Sequence, residues 1–270
     1  MFVKRCRDHE LIGNFLKRKY PTLCQCLGKP DTQYIYISIG AYADLIDKIS
    51  KAVNPTTGSK AARLKVYFAS YAGTTIFSKV PESYFGYTTL IFCPVDGTEV
   101  DIPDNFWIIH PVTGIVTSVT QPEADVMAKY FKDNRASALK TVAEVAGQPQ
   151  TWQESTSVWF ELPKVNGGSG GWLDEMWCQG VDGVLITLGA YKLKDTYPVN
   201  GVDISIEWQL TLLFLLAKSV RVNGKDCYYS YDLEDVPDFP HRSGLPSDWI
   251  GGGDTANPCP PAKGCQTTIG

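Results

Sequence analysis

The chain is predicted to fold as an α+β protein: two diverged copies of a helix-strand-helix-strand-strand unit, a mixed or antiparallel sheet, and an extended C-terminal tail. Three observations predict this. The runs Leu64 to Tyr71 and Thr88 to Phe92 are echoed by Val184 to Tyr191 and Gln209 to Phe214. Tyr71 maps to Tyr191 at an offset of 120 residues, and the string Thr-Leu-Ile-Phe from Thr89 maps to Thr-Leu-Leu-Phe from Thr211 at 122. Each echoed pair also follows an amphipathic helix, a β-rich run and a second helix, and from Pro237 onward the composition turns to proline and glycine. A duplication with small loop insertions accounts for the near-constant spacing.

The first unit spans residues 8–118. Within residues 9–27, Leu11, Ile12, Phe15, Leu16 and Leu23 have the spacing of an amphipathic helix that ends near Pro21, and Cys24 to Pro30 reads as a turn or loop. Tyr34 to Ile39 is β-branched and aromatic, a strand closed by Gly40. Leu45, Ile46, Ile49 and Val53 give a second helix, stopped by Asn54 and Pro55. Leu64 to Ala69 and Thr88 to Val95 are strands, joined by an aromatic connector containing Tyr71, Phe77, Tyr84, Phe85 and Tyr87. Short strands follow at Phe106 to His110 and Gly114 to Val116.

The second unit spans 121–235. Residues 123–145 form the strongest predicted helix, with Val126, Tyr130, Phe131, Leu139 and Val142 on one face and Pro122 suited to its first turn. Ser157 to Leu162 takes the place of the first unit's opening strand, and Trp172 to Cys178 that of its second helix. The echoed strands fall at 183–191 and 204–217, with a further strand at Asp226 to Tyr231. The tail, 236–270, cannot build its own core and reads as a loose end or a docking strap.

Composition excludes some classes and leaves others. At 270 residues and 44% hydrophobic content the chain buries a substantial core. Its formal charge of -4, with scattered Lys and Arg, gives no electrostatic footprint for nucleic acid or an anionic membrane. The longest apolar run, Leu210 to Ala217, falls far short of the ~20 residues a spanning helix needs. The N-terminus meets charge at once and has no signal-like apolar region, so a cytoplasmic address is expected. In a reducing cytosol most of the eight cysteines are expected as thiols, with Cys93 and Cys178 serving as small core residues.

The pattern Val158-Trp159-Phe160, then Val181-Asp182-Gly183-Val184-Leu185-Ile186-Thr187-Leu188-Gly189-Ala190-Tyr191, then Thr211 to Phe214, then Cys259-Pro260-Pro261 resembles a group of short bacterial proteins with no assigned activity. The first half keeps only Tyr67 to Tyr71 and Thr89 to Phe92 of it. The resemblance implies a shared fold and carries no catalytic residue.

Chemistry is sparse. His9, His110 and His241 sit in no nucleophile signature, and Cys93, the best placed thiol, has the register of a packed core residue. Cys24, Cys26, Cys259 and Cys265 would make a four-thiolate zinc site if the tail folded back, although both spacings depart from the usual knuckle. A disulfide between Cys259 and Cys265 would instead need an oxidising compartment. Neither glycine-rich run links strand to helix as a phosphate loop does. What remains is an excess of aromatics in connectors and at element ends: Tyr71, Tyr84, Phe85, Tyr87, Trp172, Tyr191 and Trp249.

Such aromatics either anchor a partner or fill the seam between the units. The expected function is therefore non-catalytic, an interaction or self-assembly protein using the aromatic connectors and the tail, its partner a protein and possibly another copy of the chain. The competing expectation is an enzyme or small-ligand-binding protein with its site in the cleft between the two units.

Overall fold

The computed structural model describes residues 10–162, 181–192, 196–199, 202–222, 225–230 and 257–258. Residues 10–14 are helical and lead through a wide π turn, Phe15–Lys19, into helix α1, Tyr20–Leu27. Strand β1 is Tyr34–Ser38, and helix α2, Ile39–Lys51, follows directly. Ser38 starts α2 because its hydroxyl accepts the Ala41 N–H, satisfying one of the otherwise orphaned donors of the first turn. Strands β2, Ala61–Ser70, and β3, Thr88–Asp96, form a hairpin whose connector contains two short 3-10 turns. Strands β4, Phe106–Ile109, and β5, Val116–Val119, extend that sheet.

Helix α3, Gln121–Phe131, opens with a capping box in which the Glu123 carboxylate accepts from the Thr120 N–H while the Thr120 hydroxyl accepts from the Glu123 N–H. A second π turn, Lys132–Ala136, joins it to α4, Ser137–Val145. Strands β6, Ser157–Glu161, β7, Gly183–Ala190, β8, Thr196–Val199, β9, Val202–Ser205, β10, Leu210–Val222, β11, Lys225–Ser230, and the two-residue β12, Asn257–Pro258, complete the described elements. The fold is α+β with antiparallel pairing throughout the described strands.

The sheets do not follow the order of the chain. One sheet runs β1-β7-β10-β11 and the other β12-β6-β2-β3-β4-β5, with β8 and β9 as a separate pair. Thus β1, from the first part of the sequence, pairs with the later hairpin, and β6, from the second part, pairs with the earlier one. The two exchanges share one register: Tyr34 faces Thr187 and Ile37 faces Val184, while Ser157 faces Tyr67 and Phe160 faces Leu64. The hairpins agree as well, since Tyr67 faces Ile91 and Thr187 faces Leu213. Even single bonds repeat. Leu188 N–H donates to Gln33 O and Phe68 N–H to Thr156 O; Tyr71 N–H donates to Tyr87 O and Tyr191 N–H to Gln209 O.

The inner faces of both sheets meet in one core. Leu64, Val66 and Phe92 from one sheet lie with Ile186, Leu212 and Phe214 from the other, and α2 adds Tyr42, Leu45, Ile46 and Ile49. Phe160 and Phe214 join the layers edge-to-face at 4.7 Å. Each outer face has a helical cover: Ala124 and Met127 of α3 pack on Tyr67, Ile91 and Phe106, and Leu11 and Ile12 pack on Leu185, Leu213 and Leu215. Gly183 allows β1 to approach β7, because a Cβ there would lie 2.4 Å from Ile37 O and 2.6 Å from the Tyr36 ring.

Two buried cations bind the sheets from opposite directions. Lys19, at the end of the first π turn, donates to Glu154 Oε2 at 2.6 Å, and both side chains are buried. Glu154 Oε1 in turn accepts the N–H of Leu210, at the start of β10, at 2.6 Å. In the other direction, Arg135 of the second π turn donates to Gly86 O at 2.7 Å and lies 3.8 Å from Asp31, whose Oδ1 accepts the N–H of Thr88 at the start of β3. Each carboxylate satisfies the first donor of a core strand while a buried cation balances its charge.

Candidate functional site

A cleft of about 540 Å³ lies beside β1, between the two sheets. Three separated segments form its walls: residues 31–38 leading into and through β1, the end of the β2–β3 connector, and the tight turn between β4 and β5. Tyr34, Tyr36, Tyr71, Tyr84, Tyr87 and His110 reach it. Ten of its seventeen lining residues carry a hydroxyl, and Asp31 is the one formally charged side chain among those seventeen.

That carboxylate is already committed. Asp31 accepts from the Thr32 N–H at 2.7 Å and from the N–H and hydroxyl of Thr88 at 2.8 Å each, with Arg135 behind it. The cleft therefore presents little net charge to a ligand.

The tyrosines hold one another. Tyr71 is buried, its phenol donates to Ile109 O at 3.2 Å, and it meets Tyr84 edge-on at 6.1 Å. Burial pushes the Tyr71 phenol up to about 12, against a lowering contribution from Thr89 and a raising one from Tyr84, so it stays a neutral donor. Tyr84 and Tyr87 lie 5.8 Å apart. The Lys29 ammonium sits 4.1 Å over the Tyr87 ring. The Tyr36 phenol donates at 2.8 Å to Asp182, which is not among the cleft's lining residues, and Tyr34 and Tyr36 also pack against the outer core of Leu11, Ile12 and Leu185.

His110 has one tautomer dictated by its turn. Its Nδ1 accepts the N–H groups of Val112 at 3.2 Å and Thr113 at 3.1 Å, so the ring proton of the neutral imidazole lies on Nε2. Gly114, at φ 67°, closes the turn by donating to His110 O at 2.9 Å. The imidazole is thereby a positioned N–H donor held by backbone.

The sequence-derived residues separate under this geometry. Tyr71, Tyr84 and Tyr87 come together in the cleft. Tyr191 does not join them: it is buried in the outer core of the other sheet, with its phenol accepting from the Thr211 hydroxyl at 3.3 Å. Tyr71 and Tyr191 are thus interior residues rather than exposed anchors, because each lies where a strand end tucks under the next connector. Phe85 alone of the described set is well exposed, at 47%, and it contacts Phe77 and Tyr130. Trp172 and Trp249 lie outside the described residues, as do Cys259 and Cys265.

Cys24 is half-buried and Cys26 exposed, with the Cys26 thiol directed at Asn134 O at 3.7 Å. Among the described residues no cluster of three or more metal-ligating side chains occurs. Cys93 is packed in the core, where burial and then the neighbouring Asp101 push its thiol well up, outweighing the Lys65 ammonium, and it does not line the cleft. No described helix is long and apolar enough to cross a membrane.

Tyr34, Tyr36 and His110 belong to the cleft although the sequence marks them only as strand residues and an isolated histidine. The one available signal was the His-Pro-Val-Thr-Gly string, whose glycine closes a turn on the imidazole. No protein-family model, curated protein or solved structure matches the chain.

Proposed function

We propose that this protein is a non-catalytic binding protein whose site is the tyrosine-lined cleft between the two sheets. The observation that carries this reading is convergence: five tyrosines and a tautomer-locked histidine, drawn from three distant segments, surround one cavity of about 540 Å³. That size suits a small molecule, and concave sites with aromatic walls and a few placed polar groups are where such ligands bind. The aromatic connector expected to meet a partner supplies one wall. The repeated register of the two hairpins supports the duplication read from the sequence, with the cleft arising where the first copy lends its strand to the second.

The test is a ligand-observed NMR screen of uncharged small molecules against the wild-type chain and Tyr87→Gln. The reading expects hits that weaken in the variant. Hits that all persist in Tyr87→Gln would place binding elsewhere.

A second reading rests on the exposed Phe85, packed against Phe77 and Tyr130 as a face for self-association. Light scattering of wild type and Phe85→Ser checks it. An oligomer that dissociates on substitution supports this face, and an unchanged molar mass removes it.

A further inference from the structure

We infer that the ligand of this cleft is an uncharged saccharide, a sugar ring or short oligosaccharide without phosphate or carboxylate. The inference rests on the binding reading above and adds its chemistry.

Binding an ionised group in a partly enclosed site requires a counter-charge, because desolvation otherwise outweighs the contact. Among the described residues no lysine or arginine lines the cleft, its carboxylate Asp31 is bonded to Thr32 and Thr88 with Arg135 behind it, and Lys29, over the Tyr87 ring, is directed at Ser83 O. That lining favours an uncharged ligand over nucleotides, phosphorylated sugars, free amino acids and peptide carboxylates.

Hydroxyls both donate and accept, and ten of the seventeen lining residues carry one, those of Tyr36, Tyr71 and Thr88 donating within the protein while keeping acceptor lone pairs. A surface of that kind complements a ligand that is itself dense in hydroxyls. His110 Nε2–H adds one directional donor, since its other nitrogen is occupied by two backbone N–H groups.

A pyranose ring presents one or both faces as C–H groups, and these pack on tyrosine rings whose phenols remain at the edge to hydrogen-bond. Tyr84 and Tyr87, at 5.8 Å and tilted by 52°, form such a wall.

The two hairpins separate what the fold needs from what the cleft uses. At the same ladder positions, Tyr71 corresponds to Tyr191 and Thr89 to Thr211, and these residues are buried in both hairpins. Tyr87 corresponds to Gln209 and Tyr34 to Ser157. The second hairpin and its borrowed strand thus make the same pairing without those tyrosines. Their rings line the cleft and also pack, Tyr87 against the outer core of the first hairpin and Tyr34 against that of the second, and replacing them by their counterparts preserves the ladder.

The experiment is isothermal titration of the full chain with maltose, cellobiose, lactose and diacetylchitobiose, beside two uncharged heterocycles, adenine and caffeine. Glucose 6-phosphate serves as the charged control. Tyr34→Ser, Tyr87→Gln and His110→Ala are measured in parallel, with thermal melts to verify that each is folded.

The expected result is binding of at least one disaccharide, weakened about tenfold or more by Tyr87→Gln and by His110→Ala, with no binding of the phosphate ester. Heterocycle binding that the variants abolish, without any disaccharide binding, overturns the saccharide class and leaves the cleft reading standing. Disaccharide binding indifferent to all three variants overturns the assignment to this cleft. Silence from every compound overturns the saccharide proposal, and the wider NMR screen then decides on the cleft.

Discussion

Lys19 and Glu154 form a buried ion pair at 2.6 Å across 135 residues of sequence, and the Lys19 ammonium also lies 4.7 Å over the Trp152 ring. The pair ties the first helix to the segment that aligns β10. Removing one member leaves the other charged and buried, which costs about 3–5 kcal/mol. Lys19→Met is expected to lower the midpoint of a urea melt by a corresponding amount, with the slope retained. A change within a few tenths of a kcal/mol would show that the pair contributes nothing net.

Gly183 is the point of closest approach between β1 and β7. Its added Cβ would meet Ile37 O at 2.4 Å, a backbone atom that cannot turn aside. Gly183→Ala should destabilise the fold by about 1–3 kcal/mol through overpacking, and it should widen amide exchange along Tyr34 to Ser38 before other strands. Uniform exchange across all strands would contradict a β1-specific clash.

Acid stability should depend on Glu123 and Asp96. Burial alone would raise the Glu123 carboxyl, but the Lys79 ammonium and the Thr120 N–H and hydroxyl outweigh it and hold it below its ordinary value. For Asp96, burial is likewise outweighed, by the Thr98 hydroxyl and N–H, the Val100 N–H and Asn54. A carboxylate depressed in the folded state contributes stability that is complete above its unfolded pKa, ~4, and is lost as pH falls through the folded value. Glu123→Gln should therefore flatten the loss of stability below pH ~4. Melting curves for the variant parallel to wild type through that range would count against the assignment.

Thiol labelling should rank the described cysteines. Cys26 is exposed and Cys93 is buried with its thiol pushed up, so iodoacetamide should modify Cys26 in the native protein and Cys93 only on unfolding. Peptide mass mapping reads the order, and early labelling of Cys93 would mean that its strand opens.

Much of the fold was legible because periodicity carries it. The strand at Tyr34 and the helix after it fall within two residues of expectation, and the echoed hairpins lie where their offsets place them. The pairing of β1 with β7 and of β6 with β2 was not legible, since Tyr34 and Thr187 stand 153 residues apart and Tyr67 and Ser157 stand 90 apart, and such pairing leaves no local mark. Lys19 and Arg135 were hidden for a different reason. Each stands four residues after a buried phenylalanine, Phe15 or Phe131, and four before a buried leucine, Leu23 or Leu139, so it shares their apolar face, but its carboxylate partner comes from a distant segment.

The cleft depends on the exchange and was hidden with it. Tyr34 and Tyr36 carry the signature of any half-buried strand, and only the placement of β1 beside the first hairpin's connector brings them near Tyr87 and His110. The connector's own aromatics were legible as an excess, whereas their inward direction follows from the Tyr71 phenol reaching Ile109 O.

A crystallographic fragment screen tests the cleft most directly, since it reports where a ligand sits without assuming which ligand it is. The account predicts ordered, uncharged fragments between Tyr36, Tyr87 and His110, with a ring or C–H face against a tyrosine and an acceptor toward His110 Nε2. Fragments found only on the Phe85 face, with the cleft holding solvent in every data set, would contradict it.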